Sequence, residues 1–273
     1  MKLTGSIVLY KNQHYELERA IESFVSCSLP KKLYLIDNSA SKPQISTRSE
    51  VTTYIYNYSN LGFGSGHNIA LTLSQADQAP YHLVMNPDVF FDPSTLETLV
   101  QFMDQRPDVG LVMPRILYPD GSPQNLCKLL PTPADLIGRR FFPFLPWSKK
   151  RNNVYELRFA DPEKSMDIPF LSGSFMLLRR EAIDNVGNFD ERFFLYMEDA
   201  DLCRRIGTRY RTVYYPSTQI YHTYSKASYH KMHITYQHIK SAILYFNKWG
   251  WLKDEERNLV NARTLRELGY TKE

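Results

Sequence analysis

The chain has 273 residues, 43% of them hydrophobic, which is ample for a sizeable core and excludes a globally disordered protein. A formal net charge of +4 suits an anionic small molecule, a membrane surface or nucleic acid, and does not choose among them. Cys27, Cys127 and Cys203 are odd in number, far apart and without CxxC spacing, which excludes a disulfide framework and a thiolate zinc site and points to a reducing cytosol.

Residues 3 to 10, LTGSIVLY, read as a buried strand, too short an apolar run for a secretory signal. The following YELERAIESFVS places Tyr15, Ala20, Ile21, Phe24 and Val25 at helical spacing. KLYLIDNS is a second strand ending in Asp37, Asn38 and Ser39; VTTYIYNY is a third, followed by a glycine loop and the helical run HNIALTLSQADQ. YHLVMNPDV is a fourth strand, and Asp92 with Pro93 marks a helix start before LETLVQFMDQ. VGLVMPRIL is a fifth. Strand and helix alternating over the first 116 residues predict a mostly parallel, doubly wound α/β sheet, because parallel strands need a crossover helix. From 117 to 166 the pattern breaks into turn-rich YPDGSPQ and then PTPADLIGRRFFPFLPWSKKR. IPFLSGSFMLLRR restores a strand, REAIDNV and EDADLCRRIG are short helices, YRTVYYP is a strand, and the tail from Tyr229 reads as helix. No stretch approaches the roughly 18 apolar residues of a membrane span. The expected organisation is one catalytic domain, residues 1–228, with a helical extension, 229–273, packed on it.

In doubly wound sheets, ligands sit at the carboxyl ends of the strands. Three polar clusters fall there: Asp37-Asn38-Ser39, the glycine loop, and Asn86-Pro87-Asp88. In NYSNLGFGSGHN, residues 57 to 68, Gly62, Gly64 and Gly66 lie between Asn60 and Asn68. Glycines let backbone amides approach a phosphate or sugar closely, and they equally suit a plain strand-to-helix turn. A dinucleotide fingerprint would follow the first strand, whereas this loop follows the third. MNPDV ends a buried strand with a carboxylate that needs a partner, a cap or a metal. FDERFFLYMEDADLCRR, residues 189 to 205, sets Phe193, Phe194, Leu195 and Tyr196 against Glu198, Asp199 and Asp201. Asp201 with Arg205 reads as an i,i+4 pair, with Leu202 and Ile206 facing the core. Glu198 and Asp199, at the helix entry, suit general-base chemistry beside a water-poor wall. His222 reads on its own as a partly buried polar residue.

SIVLY, IDNS, NLGFGSGHN, NPDV, LSGSFMLLRREAIDNVGNFDERFFLYMEDADLCRR and YHTYSKAS follow one another from residue 6 to about 228. Together they resemble the inverting, GT-A-fold glycosyltransferases of family 2, most closely the bacterial rhamnosyltransferase-like branch. The resemblance implies that Asp37 and Asn38 lie near the nucleotide base, and Asn60, Gly62, Phe63, Gly64, Gly66 and Asn68 near the ribose and diphosphate. It makes Asp88 the metal-binding residue for Mg²⁺ or Mn²⁺, with Asn86 in place of the first Asp of DxD and His222 as a further ligand. Gly173 and Ser174 would lie by a sugar, Asp199 would be the catalytic base, and Glu198 its neighbour and orienter. The implied donor is dTDP-L-rhamnose, with a UDP-hexose or UDP-galactofuranose as alternatives, and the implied acceptor is a saccharide or a polyprenyl-diphosphate-linked glycan of a surface polysaccharide. Nucleic acid is not an expected partner; an oxidoreductase and an inactive nucleotide-sugar-binding module are the alternatives outside the class. The expected location is cytoplasmic, peripheral on the inner face of the membrane. Leu136 to Tyr155 carries Arg139, Arg140, Lys149, Lys150 and Arg151 with no acid, among Phe141, Phe142, Phe144 and Trp147. That mixture suits an anionic headgroup interface as well as an irregular loop folded onto the domain.

Overall fold

The computed structural model describes residues 1–41, 50–223 and 232–271. The end of the YHTYSKAS motif, from Tyr224, and the expected start of the tail helix at Tyr229 lie outside the described residues. The first four expected strands are present as β1 (Leu3–Leu9), β2 (Lys31–Asp37), β3 (Thr52–Tyr56) and β4 (Tyr81–Met85), paired in parallel in the order β3-β2-β1-β4. The helices α1 (His14–Val25) and α2 (Phe63–Ala76) supply the crossovers. A strand not foreseen, β5 (Val89–Phe91), follows the Asn-Pro-Asp turn at once and pairs antiparallel with β11 (Arg211–His222). Asp92 then caps as expected: its carboxylate accepts the Ser94 amide at 2.9 Å at the start of α3 (Ser94–Gln105).

The fifth expected strand is β6 (Val109–Leu117), and β10 (Phe175–Arg179) inserts antiparallel between it and β4. β11 lies parallel to β6, with the short β8 (Met166–Asp167) against it. So β1 to β4, β6 and β11 run one way, and β5, β8 and β10 the other. The central strands are covered on both faces, which is why they read as unbroken apolar runs. A separate ribbon pairs β7 (Cys127–Lys128) with β9 (Phe170–Leu171).

The segment read as membrane interface or irregular loop is in fact helical. α4 (Pro133–Phe141) starts at a capping box in which Thr132 and Asp135 satisfy each other's amides, and α5 (Pro146–Tyr155) also opens on proline. The chain continues through α6 (Arg180–Val186), α7 (Glu198–Ile206), α8 (Met232–Trp249) and α9 (Glu255–Glu267).

The rear of α7 holds the last two helices. Arg204 donates to both carboxylate oxygens of Asp254, at 2.7 and 2.6 Å, and its guanidinium lies 4.1 Å from the Trp249 ring centroid. Asp254 also caps α9, accepting from the Arg257 amide. Asp201, fully buried, takes the expected Arg205 pair at 2.9 Å and adds Trp249 Nε1 at 2.8 Å and Lys248 Nζ at 2.7 Å. Leu202 and Ile206 face the core as expected. Removing one partner of a buried, bidentate pair strands the other charge. Arg204→Met is therefore expected to lower unfolding free energy by about 3–5 kcal/mol in urea titrations, with part of the loss recovered in Arg204→Met/Asp254→Asn. A loss near zero would mean that the last two helices are held by the Asp201 bonds and apolar packing without the Arg204 pair.

Candidate active site

Strand direction assembles the site. β1, β2, β3 and β4 all end at one edge of the sheet, which brings Asp37 and the Asn86-Pro87-Asp88 turn there. β10 runs the other way, so the residues before it, Gly173 and Ser174, reach the same edge, where the Asn86 amide donates to Ser174 O at 2.9 Å. β11 ends there in His222, in register with Val89, the residue after Asp88.

The glycine loop is shorter than expected, because α2 begins at Phe63 and takes Gly64 and Gly66 into its first turn. Gly62 has φ +90, and a Cβ on it would lie 2.3 Å from the Phe194 carbonyl oxygen, so the turn requires glycine. That carbonyl instead accepts the Phe63 amide at 3.0 Å. A Cβ on Gly66 would meet the Val8 side chain at 2.7 Å; without one, the helix settles on β1 with its N-terminal amides toward the ligand edge.

Several of the polar residues assigned to the nucleotide serve as braces of this turn. Asn38 donates to Gly62 O at 2.9 Å and accepts from Asn57 at 2.8 Å, and Asn60 accepts the Gly62 amide at 3.0 Å. Asn68 exchanges hydrogen bonds with the Phe189 backbone at 2.9 and 3.0 Å. Asp37 is fully buried and accepts from the Ser39 amide and the Tyr54 hydroxyl.

Asp88 Oδ1 stands 3.3 Å from His222 Nε2, and Asn86 Nδ2 stands 3.5 Å from the same nitrogen. Glu16 of α1 faces this pair; burial first, then the charge of Asp88, raises its carboxyl above the usual range. Among the described residues no three His, Cys, Asp or Glu side chains cluster as a self-sufficient metal cage. One carboxylate and one imidazole fit a divalent ion whose remaining ligands come from a diphosphate and water.

Glu198 and Asp199 differ sharply. Glu198 is buried, its Oε2 has no hydrogen-bond partner among the described residues, and burial first, then the charge of Asp199, pushes its carboxyl well above the usual range. Asp199 is half-buried, its Oδ2 accepting from the Gly173 amide at 3.0 Å and its Oδ1 from the Ala200 amide at 2.9 Å. Burial raises Asp199 as well, while Lys128 and those amides oppose the rise. Tyr196 and Met197, at φ 68 and 70, are two consecutive non-glycine residues in the left-handed region immediately before α7. Such strain persists only where surroundings fix it. Here Ser241 Oγ holds the Leu195 carbonyl at 2.8 Å and Tyr196 packs beside His238. Of the expected aromatic wall, Phe193 is in the core, and Phe194, Leu195 and Tyr196 are part-exposed.

Lys128 was not foreseen, although a lone cation inside the apolar run LCKLL is a signal in itself. It faces Asp199 from β7, and burial lowers it to about 8. The basic segment also changes meaning. Acids just outside it pair with Arg139 (Glu156, 3.1 Å) and Arg151 (Asp135, 2.8 Å), and Arg140 bonds Thr235 of α8. Lys149 and Lys150 remain exposed beside Ile137, Phe141, Phe142, Phe144 and Trp147.

Residues 7–187 match the profile of Glycosyl transferase family 2. The chain is 31% identical over 236 residues to the N-acetylglucosaminyl-diphospho-decaprenol L-rhamnosyltransferase of Mycobacterium tuberculosis, spanning 80% of this chain and 73% of that protein. It is 24% identical over 213 residues to Rhamnosyltransferase WbbL of Escherichia coli (strain K12), spanning 75% and 72%. Among solved structures, the mannosyltransferase PcManGT from Pyrobaculum calidifontis, in complex with GDP-Man and Mn²⁺, superposes with a TM-score of 0.63 at 16% identity, over 98% of this chain and 70% of that one. GalNAc-T7 with UDP, GalNAc and Mn²⁺ gives 0.62 at 14% identity, over 82% of this chain and 43% of that one. At these identities the likeness is one of fold, GT-A.

The Glu198 carboxyl yields a pH test. A folded pKa raised above the unfolded one contributes stability that is present below the unfolded pKa and is lost as pH rises toward the folded pKa. Glu198→Gln removes that loss. The variant is expected to gain Tm over the native chain progressively from pH 4.5 to 8, with the smallest gap at the acid end; a gap that does not vary with pH would mean an ordinary carboxylate.

Proposed function

The chain belongs to glycosyl transferase family 2 and is a glycosyltransferase, and on that premise we propose that it transfers L-rhamnose from dTDP-L-rhamnose, with inversion, to a lipid-linked saccharide during synthesis of a bacterial surface polysaccharide. The observation that carries the reaction is the half-buried Asp199 carboxylate, pinned by the Gly173 amide at the edge where Asn86, Asp88 and His222 converge. Support for rhamnose is the similarity to the two rhamnosyltransferases; a UDP-hexose or UDP-galactofuranose is the rival donor.

Asp199 takes the proton from an acceptor hydroxyl as that oxygen attacks the anomeric carbon and the nucleoside diphosphate departs. One base suffices, because the leaving group is already a stable anion; hydrolases use a second carboxyl as acid. Glu198, held neutral by burial, packs behind the base without adding a second charge to it. The N-terminus of α2, beyond the Phe63 amide held by Phe194 O, faces the diphosphate, while Asn38 and Asn60 hold the turn that aims it and Asn68 ties the helix to the Phe189 backbone. Asp88 and His222 would hold Mg²⁺ or Mn²⁺, which when bound offsets the charge on the leaving diphosphate. Residues 1–228 form the catalytic unit in this reading, and 229–273 its docked extension.

No helix among the described residues is long and apolar enough to cross a membrane. The acceptor is instead reached from the cytoplasmic surface, with the exposed Phe141, Phe142, Phe144 and Trp147 entering the headgroup layer beside Lys149 and Lys150.

Asp199→Asn is expected to cut transfer by on the order of 10²–10⁴ while leaving donor binding intact. Binding is read as the thermal shift given by dTDP-L-rhamnose with Mn²⁺. Near-native turnover in the folded variant removes Asp199 as base, and a shift with a UDP-sugar but none with dTDP-rhamnose reassigns the donor. For the membrane, each exposed lysine is worth about 1 kcal/mol at an anionic surface. Phe144→Ser/Lys149→Gln/Lys150→Gln is expected to lose binding to anionic vesicles and to slow transfer to a long-chain lipid acceptor, sparing a short-tailed soluble one. Equal loss on both acceptors would place the segment in the active site or the fold.

A further inference from the structure

Gln124 lies beyond the end of β6 in the turn-rich segment, 98 residues from His222 in sequence. Its backbone amide is tied to Ile116 O at 2.9 Å, which fixes its Cα against the sheet. The side-chain amide nitrogen donates to His222 O at 2.7 Å and Leu117 O at 3.3 Å. Both are carbonyl oxygens and can only accept, so they settle which end of the amide is which, independently of the imidazole. The Gln124 oxygen is thereby turned to His222 Nδ1 at 3.0 Å. An amide oxygen cannot donate, so Nδ1 must carry the hydrogen, and in the neutral ring Nε2 then carries the lone pair. Nε2 is the nitrogen that stands 3.3 Å from Asp88 Oδ1 and 3.5 Å from the Asn86 amide nitrogen, a donor that tolerates a lone pair.

We propose that Gln124 is a positioning residue that locks His222 in the Nδ1–H tautomer and turns the Nε2 lone pair toward the Asp88 side, ready to ligate a divalent cation. An acceptor behind a ligating histidine fixes its orientation and raises its basicity. The purpose of the lock rests on the reading of Asp88 and His222 as metal ligands; the tautomer itself rests only on the hydrogen bonds. The same amide joins two strands, since it holds the last carbonyl of β11, the end of β6 and the imidazole at once.

The test uses the full chain labelled with ¹⁵N-histidine and free of metal, with the His222 signals assigned by their loss in His222→Asn. A long-range ¹H–¹⁵N correlation spectrum, recorded at alkaline pH where the ring is neutral, is expected to show His222 Nδ1 protonated and Nε2 bare. In Gln124→Met the ring should return to the mixture of tautomers seen in water, and Mn²⁺ affinity in the presence of dTDP, read from the EPR signal of free Mn²⁺, should fall roughly 10–100-fold. Gln124→Glu keeps an acceptor opposite Nδ1 but loses the donor to His222 O and Leu117 O, so it should preserve the tautomer while the Mn²⁺ affinity falls. A native His222 with Nε2 protonated overturns the proposal, as does a Met variant with native tautomer and native affinity. If Gln124→Met does not fold, the native spectrum and the Glu variant decide. If the native chain binds no Mn²⁺ with dTDP, the metal reading falls, while the spectrum still decides the lock.

Discussion

Two adjacent backbone groups, the Gly173 amide donating to Asp199 and the Ser174 carbonyl accepting from Asn86, connect the two halves of the candidate chemistry. They can do so only because β10 runs antiparallel between β4 and β6. A parallel strand in that slot would present its carboxyl end to the edge and carry Gly173 and Ser174 to the opposite side of the sheet. The reversal separates the like-directed β4 and β6, and it places a backbone donor beside the Asp199 carboxylate. Glycine at 173 leaves room for this approach, since a Cβ there would lie 3.2 Å from the Asp199 Cβ and would press on the residue it positions.

The acidic knot of α7 divides its work along the helix. Asp199 faces the ligand edge, whereas Asp201 and Arg204 face α8 and α9 and bind them through Trp249, Lys248 and Asp254. The strained turn at Tyr196 and Met197 therefore sits between two anchored bodies: the Phe194 carbonyl is fixed by α2, and the far side of α7 by the extension. Loosening the rear anchor would release that turn and with it the carboxylate. The last two helices thus bear on the mounting of Asp199 through the far side of α7.

The first four strands and their crossovers were legible because a buried parallel strand is a continuous apolar run and its crossover helix has a distinct period. β5 was not, because three residues carry no period. The start of α2 was misplaced for a different reason: Gly64 and Gly66 are poor helix formers, and tertiary packing against Phe189 and Val8 overrides that preference. α4 carried a readable start signal in Thr132, Pro133 and Asp135, obscured by the aromatic and basic residues that follow. In the same segment the absence of acid was a matter of where the segment was cut, since Asp135 and Glu156 flank it and pair inward. The site residues were legible as a resemblance in order, but the meeting of His222 with Asp88 follows from the β11–β5 register, and Gln124 gave no local signal at all.

The contrast between Glu198 and Asp199 bears on which carboxylate can act. A base must be ionised in the resting enzyme and must reach its proton. Glu198 meets neither condition, since it is shut away from solvent with an oxygen that lacks a donor, and ionising it beside Asp199 would place two like charges in one dry pocket. At Asp199 two backbone amides and the nearby Lys128 oppose the burial that raises it. A neutral carboxyl at Glu198 adds no like charge beside Asp199, whereas an ionised one would raise Asp199 further, so burial of the first carboxyl favours ionisation at the second.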